Sequence, residues 1–334
     1  MRISAFTFLR NGAKLHYPII ESIRSGLPLV DEFVIALGDS DPEDDTREQI
    51  EAIGSDKIVL VDTVWDLQKY PRGMEHAHQT DIAKERCSGD WLLYLQGDEV
   101  LHEDDYDLIR ESCERWQDDE RVEAMLFDYL HFWGDYDHVH DSHNWYKQEL
   151  RIVRNRPDIH SFKSAQSFRR IPNFDGVSYR EKAGTHKLVA VHSGARIFHY
   201  GWVRPPVAMQ RKRQYFAVNH AEKGAGKGSA AQGQAAAPRP FDYGPLARIP
   251  KYRGTHPAVM KERIAQLDWQ DQLREQPLAG EKRQLHEHEE FRDRAITLLE
   301  RSLFGGRHLF ASRNYTMLPG VRLPRKRNSP TPRR

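Results

Sequence analysis

Only two cysteines, Cys87 and Cys113, occur among the 334 residues, too few for a disulfide framework or a Cys-rich zinc centre and in keeping with a reducing compartment. An excess of charge of one sign is missing too. The 50 Lys+Arg stand against 49 Asp+Glu, a formal charge of +1, which leaves no whole-molecule field to attract nucleic acid or an anionic membrane. No apolar run approaches the roughly 20 residues that cross a bilayer, and mean hydropathy is −0.75. The opening apolar stretch between Met1 and Arg10 is too short for a secretory leader, so the expectation is a cytoplasmic protein. There are no internal repeats.

Apolar types at 39% and aromatics at 10% are ample for a large folded core. In the first hundred residues apolar runs alternate with helix-like stretches, which predicts an α/β sheet. Strands are expected at Ile3 to Leu9, Glu32 to Leu37, Lys57 to Asp62 and Trp91 to Leu95, with helices at Leu15 to Arg24, Thr46 to Ile53 and Ala77 to Cys87. Polar residues gather just after the strands. In open α/β sheets that edge binds ligands, which directs attention to Asn11, Asp39, Asp66 and Asp98. The second half reads as a helix at Asp104 to Trp116 and long strands at Val122 to Trp133 and Leu188 to Tyr200, with a shorter strand at Leu150 to Arg154. Residues 221–240, poor in large apolar side chains, read as a linker or mobile loop. Helices are expected at Pro257 to Asp268 and Glu281 to Leu303, and a basic, disordered tail over 321–334. The domain reading is therefore a catalytic unit over 1–220 and a helical extension over 241–320.

The densest chemical signal is Gly89-Asp90-Trp91-Leu92-Leu93-Tyr94-Leu95-Gln96-Gly97-Asp98-Glu99. An apolar strand here ends in carboxylates, which projects Asp98 or Glu99 from a rigid element toward the ligand edge. Mg²⁺ and Mn²⁺ favour a few carboxylates supplemented by substrate phosphate oxygens.

This run resembles the segment of GT-A glycosyltransferases, especially family 2, in which Gly-Asp-Trp/Tyr and an apolar strand lead to Asp-x-Asp. Ile3 to Asn11 resembles that family's first strand and turn, Phe33 to Asp39 its second strand with a base-binding acid, and Arg196 to Trp202 its late strand carrying a metal-holding histidine. The resemblance spans residues 1–205. It implies a mostly parallel sheet flanked by helices, and transfer of a sugar from a nucleoside diphosphate sugar to a carbohydrate or lipid-linked hydroxyl, with inversion and with Mn²⁺ or Mg²⁺. By the same resemblance Asp98 and His199 hold the metal, Asp39 reads the base, and Asn11, Gln79 and Gln96 line the donor pocket. Gln96 stands where the family has its first acid, and Gln79-Thr80 where many members have Arg-Asn. An inverting enzyme also needs a carboxylate base within about 3 Å of the acceptor hydroxyl. Glu149, Asp175 and Glu181 are available, and Glu149, just ahead of a strand, is preferred.

Two other classes fit the sequence. Loss of the first acid suits a nucleotide-sugar-binding protein without turnover. A sugar nucleotidyltransferase would need a Gly-rich basic phosphate loop, for which Arg10-Asn11-Gly12-Ala13-Lys14 is a poor version. The run of His138, His140 and His143 among Asp135, Asp137 and Asp141 reads as an acceptor-side loop or a metal cluster, and His286 and His288 as part of a solvated helix. Arg211, Lys212 and Arg213, soon after His199, read either as groups that close over a diphosphate or as part of a surface helix. The tail Arg325-Lys326-Arg327 suits a solubilising segment or weak contact with an anionic membrane surface.

Overall fold

The computed structural model describes residues 1–220, 240–278, 283–305, 308 and 313–321. The linker and tail expected around 221–240 and 321–334 lie almost wholly outside them.

The first half alternates as its hydrophobic pattern predicts. Strand β1 (Ile3–Leu9) is followed by α1 (Ile19–Gly26), β2 (Glu32–Leu37), α2 (Thr46–Glu51), β3 (Ile58–Asp62), α3 (Met74–Glu85) and β4 (Trp91–Tyr94). The strands β1, β2 and β4 are apolar on both faces because helices cover both. Helix α1 starts four residues later than its apolar spacing suggests. Pro18 is its N-cap, and the residue before a proline is pushed out of helical geometry, so residues 11–17 form turns instead, with Asn11 at φ 54° and His16 at φ 59°.

Next come β5 (Glu99–Leu101), α4 (Tyr106–Arg115), β6 (Ala124–Trp133), β7 (Val139–His140), β8 (Gln148–Arg154), the hairpin β9 (Ile159–Phe162) and β10 (Ser167–Arg170), the long β11 (His186–Trp202) and α5 (Pro206–Asn219). Short helices α6 (Lys261–Ala265) and α7 (Phe291–Leu303) precede a last strand, β12 (Tyr315–Met317). The strand order is β3-β2-β1-β4-β8-β6-β11-β10-β9, with β5 and β12 on β11 and β7 on β6. The fold is mixed α/β, with the sheet parallel across β3, β2, β1 and β4 and again between β6 and β11. The expectation of a mostly parallel sheet is thus met only in part, because β8 enters between β4 and β6 antiparallel to both.

Chain order reverses between β1 and β4, which opens a crevice beyond their C-terminal ends. Asn11, Asp39, Gln96 and Asp98 follow β1, β2 and β4 on that edge. Across the sheet, β6 and β11 bring His131 and His199 level with each other.

Residues 240–278 are integral to the packing. Phe241, Tyr243, Leu246 and Ile249 bury against Trp133 and Met209, and Met260 and Trp269 against Phe132, Phe198 and Tyr200. Indole N–H groups fix the seam, Trp133 donating to the Tyr243 carbonyl and Trp269 to that of Gly134, each at 2.9 Å. Helix content there is lower than expected, the stretch predicted from Pro257 onward being helical only as a 3₁₀ turn at Ala258–Met260 and then α6. Among the described residues no helix is long and apolar enough to cross a membrane.

Candidate active site

Asp98 and His199 meet at the crevice. The Asp98 Oδ2 lies 3.6 Å from His199 Nε2, and both side chains are about one-tenth exposed. Gly201, two residues beyond His199, gives them room. A Cβ at Gly201 would sit 2.5 Å from Asp98 Oδ2 and 2.7 Å from His199 Nε2, so the glycine leaves a cradle flanked by one carboxylate oxygen and one imidazole nitrogen.

The orientation of the His199 ring is set from behind. His131, 1% exposed on β6, has Nε2 2.8 Å from the Tyr146 carbonyl oxygen and Nδ1 3.0 Å from His199 Nδ1. The carbonyl only accepts, so His131 Nε2 carries a hydrogen. Burial, with His199 adding to it, pushes the His131 imidazole well below its usual range, so the ring is neutral and its Nδ1 is an acceptor. His199 therefore donates from Nδ1, and its Nε2 faces Asp98. A carboxylate oxygen and an imidazole nitrogen at this distance can share a cation.

Two basic groups border the carboxylate. Lys212 Nζ is 3.5 Å from Asp98 Oδ2 and donates to the Gly201 carbonyl at 2.7 Å. Burial, then Arg204, pushes the Lys212 pKa down to about 7, with Asp98 resisting. Arg204, fully buried over the Tyr17 ring, donates through Nη1 to the Leu15 carbonyl at 2.6 Å, while its Nε and Nη2 lack partners. Burial opposes ionisation of Asp98, but His199, Lys212 and Arg204 outweigh it and hold the carboxyl well below the usual carboxylate range.

Glu99 plays a different part from its neighbour. It is wholly buried and forms a bidentate pair with Arg151, at 2.7 and 2.8 Å. It also accepts from the Tyr129 hydroxyl at 2.7 Å and the Gln96 backbone N–H at 3.1 Å. These bonds clamp the turn that presents Asp98. The side chain of Gln96 points to the β9–β10 hairpin, its Nε2 donating to the Ala165 carbonyl at 3.0 Å and to the Tyr94 hydroxyl at 3.1 Å.

The other expected site residues spread along the edge. Asn11 pins the loop after β2, accepting from Asp41 N–H at 2.7 Å and donating from its own N–H to Ser40 Oγ at 2.9 Å. Asp39 accepts from Trp65 N–H at 3.1 Å and lies 3.3 Å from Arg10 Nε, with its side chain 41% exposed and open to solvent. Lys14 is tied to Asp41 at 2.6 Å, so the turn after β1 is braced by acids. Gln79 is fully buried on α3, its Nε2 donating to Glu75 at 2.7 Å, beneath the edge.

Glu149, on β8, meets the β9–β10 hairpin at Ser167, two residues from the Ala165 carbonyl that holds Gln96. Its Oε1 accepts from Leu150 N–H and Ser167 Oγ, both at 2.8 Å. Burial pushes its carboxyl above the usual range, with Arg151 opposing, which favours a proton acceptor at neutral pH. Asp175 and Glu181 instead cap their own exposed turns.

The histidine-rich loops form no metal centre among the described residues. His138 pairs with Asp135 at 2.8 Å, His143 with Glu300 at 2.7 Å, and His140 stacks on Trp145. His286 and His288, half-buried and stacked on each other, each stand edge-on to Trp133. A cavity of about 570 Å³ beside Tyr70, His78, Asp81 and Tyr179 takes in Asp175 but none of Asn11, Asp39, Gln79, Gln96, Asp98, Glu149 and His199. His131, Arg151 and Gly201 went unread in the sequence. Only strand register, which pairs residues far apart in the chain, reveals the first two.

No family model matches the chain, and no curated protein matches it in sequence. Among solved structures it is similar to TarS 1-349 of S. aureus, at 14% identity over 67% of this chain and 67% of that one, with a TM-score of 0.35. The same region of TarS in complex with UDP gives 0.36. It is also similar to glucosyl-3-phosphoglycerate synthase from Mycobacterium tuberculosis, solved with Mn²⁺, UDP and glucosyl-3-phosphoglycerate, at 19% identity and a TM-score of 0.27. That match takes in 40% of this chain and spans 45% of the synthase.

Proposed function

We propose that this chain is a GT-A glycosyltransferase that moves a sugar from a nucleoside diphosphate sugar to a hydroxyl acceptor, with inversion. The supporting observation is the cradle between Asp98 Oδ2 and His199 Nε2, which the Gly201 backbone leaves open and a Cβ would fill. One carboxylate oxygen and one imidazole nitrogen fit Mn²⁺ or Mg²⁺, which take remaining ligands from water and phosphate oxygens. A cation held there supplies Lewis acidity toward the departing diphosphate. Lys212 and the unpartnered nitrogens of Arg204 add positive charge beside it. Asp39 offers a carboxylate oxygen to a base N–H, and Asn11 holds the loop that carries Asp39. Gln96 and Gln79 shape the donor side, the latter from below. Glu149 takes the acceptor proton. A second reading, donor binding without turnover, draws on Gln96, whose amide holds the hairpin where the resemblance implies an acid.

Thermal shifts with UDP-, GDP-, CMP- and dTDP-sugars, with and without Mn²⁺, test this on the wild type, Asp98→Ala and Gly201→Ala. Ligand at 100 times its Kd stabilises by about 2.7 kcal/mol. The expected result is a Mn²⁺-dependent shift with one nucleotide class that both variants lose. No shift with any donor overturns the proposal, and a shift without transfer or donor hydrolysis favours the second reading.

A further inference from the structure

A cavity of about 330 Å³ opens beside Glu149, and its rim carries Lys163, Arg169, Lys182, Lys187 and Arg313. Among the described residues none of these five cations has a carboxylate within ion-pair distance, whereas Arg151, Arg170 and Arg196 each meet one. Five cations around one lining carboxylate, Glu149, repel one another, and an anion relieves that repulsion. Arg169 is the built element of the group. It is 8% exposed, its guanidinium lies 4.5 Å from the Phe162 ring centre, and Nε and Nη1 donate to the neutral oxygens of Asn314 and Thr185, both at 2.8 Å. The fork is thus oriented without being neutralised, and Nη2 is left for a ligand.

The β9–β10 hairpin links the cavity to the candidate active site. Its wall includes Gln166 and Ser167; the neighbouring Ala165 carbonyl accepts from Gln96, and Ser167 donates to Glu149. Both protein hydrogen bonds to Glu149 fall on Oε1, which leaves Oε2 for a hydroxyl. Ser167, which donates to Glu149, and Arg169 are two residues apart on β10, about 7 Å along the strand, and Glu149 and Arg169 line the same cavity.

We propose that this cavity is the acceptor subsite and that the acceptor is a phosphate-bearing polyol, its phosphate on Arg169 and the surrounding lysines and its hydroxyl on Glu149. This rests on the glycosyltransferase reading. In the transfer the acceptor oxygen forms the new bond to the anomeric carbon and its proton passes to Glu149 Oε2. The bond from that carbon to the diphosphate oxygen breaks, and its electron pair leaves with the diphosphate.

Calorimetry on the full chain with sorbitol 6-phosphate, inorganic phosphate and sorbitol tests the proposal, with UDP plus Mn²⁺ as the donor-side control. Sorbitol 6-phosphate and phosphate are expected to bind and sorbitol not. In the exposed double variant Lys182→Ala/Lys187→Ala, and in Arg169→Gln, the Kd for sorbitol 6-phosphate is expected to rise roughly tenfold or more, with UDP binding unchanged. Co-sedimentation with phosphatidylglycerol vesicles distinguishes a lipid headgroup from a free polyol phosphate; binding in either arm, weakened in the double variant, supports the class. Intact UDP binding with no binding in either phosphate arm overturns the acceptor assignment and leaves the donor reading standing. Phosphate binding without any nucleotide binding also overturns it, together with the glycosyltransferase reading.

Discussion

Replacing His131 with Phe separates ring orientation from ligand identity at the cradle. The substitution removes the acceptor for the buried His199 Nδ1 and the donor to the part-buried Tyr146 carbonyl, and an orphaned group costs about 1–3 kcal/mol when buried and less where water reaches it. Global stability is expected to fall by about 1–6 kcal/mol, less whatever the apolar ring recovers. The effect on the cradle is distinct, since losing a group that orients a metal-ligating histidine weakens metal affinity by about 10- to 100-fold. His131→Asn divides the two losses, because its Oδ1 stands near the position of the imidazole Nδ1 and still accepts from His199, while nothing donates to Tyr146. Mn²⁺ titrations with UDP present, followed by electron paramagnetic resonance well below each variant's melting temperature, read affinity. Urea unfolding reads stability. Phe is expected to lose both and Asn mainly stability. Wild-type Mn²⁺ affinity in folded His131→Phe would refute the tautomer argument, as would ¹⁵N chemical shifts placing the His199 hydrogen on Nε2.

Glu99→Ala strands the buried Arg151 guanidinium, and a loss of about 3–5 kcal/mol is expected in urea unfolding; a loss below 1 kcal/mol contradicts the clamp described here. Glu149→Gln should abolish transfer while raising stability at neutral pH. The folded carboxyl is held above its unfolded value, so its burden is absent below the ordinary carboxylate pKa of about 4.3 and grows as pH rises. Stability curves of wild type and variant should converge in acid and separate above it; parallel curves refute the sign. Burial pushes the thiols of Cys87 and Cys113 above their usual range, so Ellman's reagent should label neither until denaturant is added; prompt labelling of either contradicts the packing.

Local rules read the first half of the fold well, because β1, β2 and β4 are short apolar runs bounded by turn residues and Asp98 follows such a run. Pairing across long separations was hidden. Nothing local to Glu149 or Arg151 announces that β8 runs antiparallel between β4 and β6, and this crossing delivers Arg151 to Glu99. His131 sits in an aromatic-rich strand that reads as core, and its partnership with His199 exists only through the β6–β11 register. Gly201 carries no sequence signal beyond being a glycine near the end of a strand. Its use is visible only when a Cβ is placed there. The segment after Pro257 was over-read as helix because apolar spacing was weighed without its packing, in which Met260 and Trp269 anchor short turns.

The order in which the chain is made bears on the long β11. Strands β1 to β4 find one another among early residues, but β11 receives its parallel neighbour β12 only from Tyr315–Met317, paired to Leu188–Ala190. This edge closes only after Tyr315–Met317 is made, long after β11 itself, and pairings between such distant segments form slowly. A nascent chain halted before that point presents an open strand edge to other chains. The cradle also joins distant segments, with Asp98 after β4 and His199 on β11, so a cation seated there closes a loop of roughly a hundred residues and acts as a staple that can form only once β11 has joined the sheet.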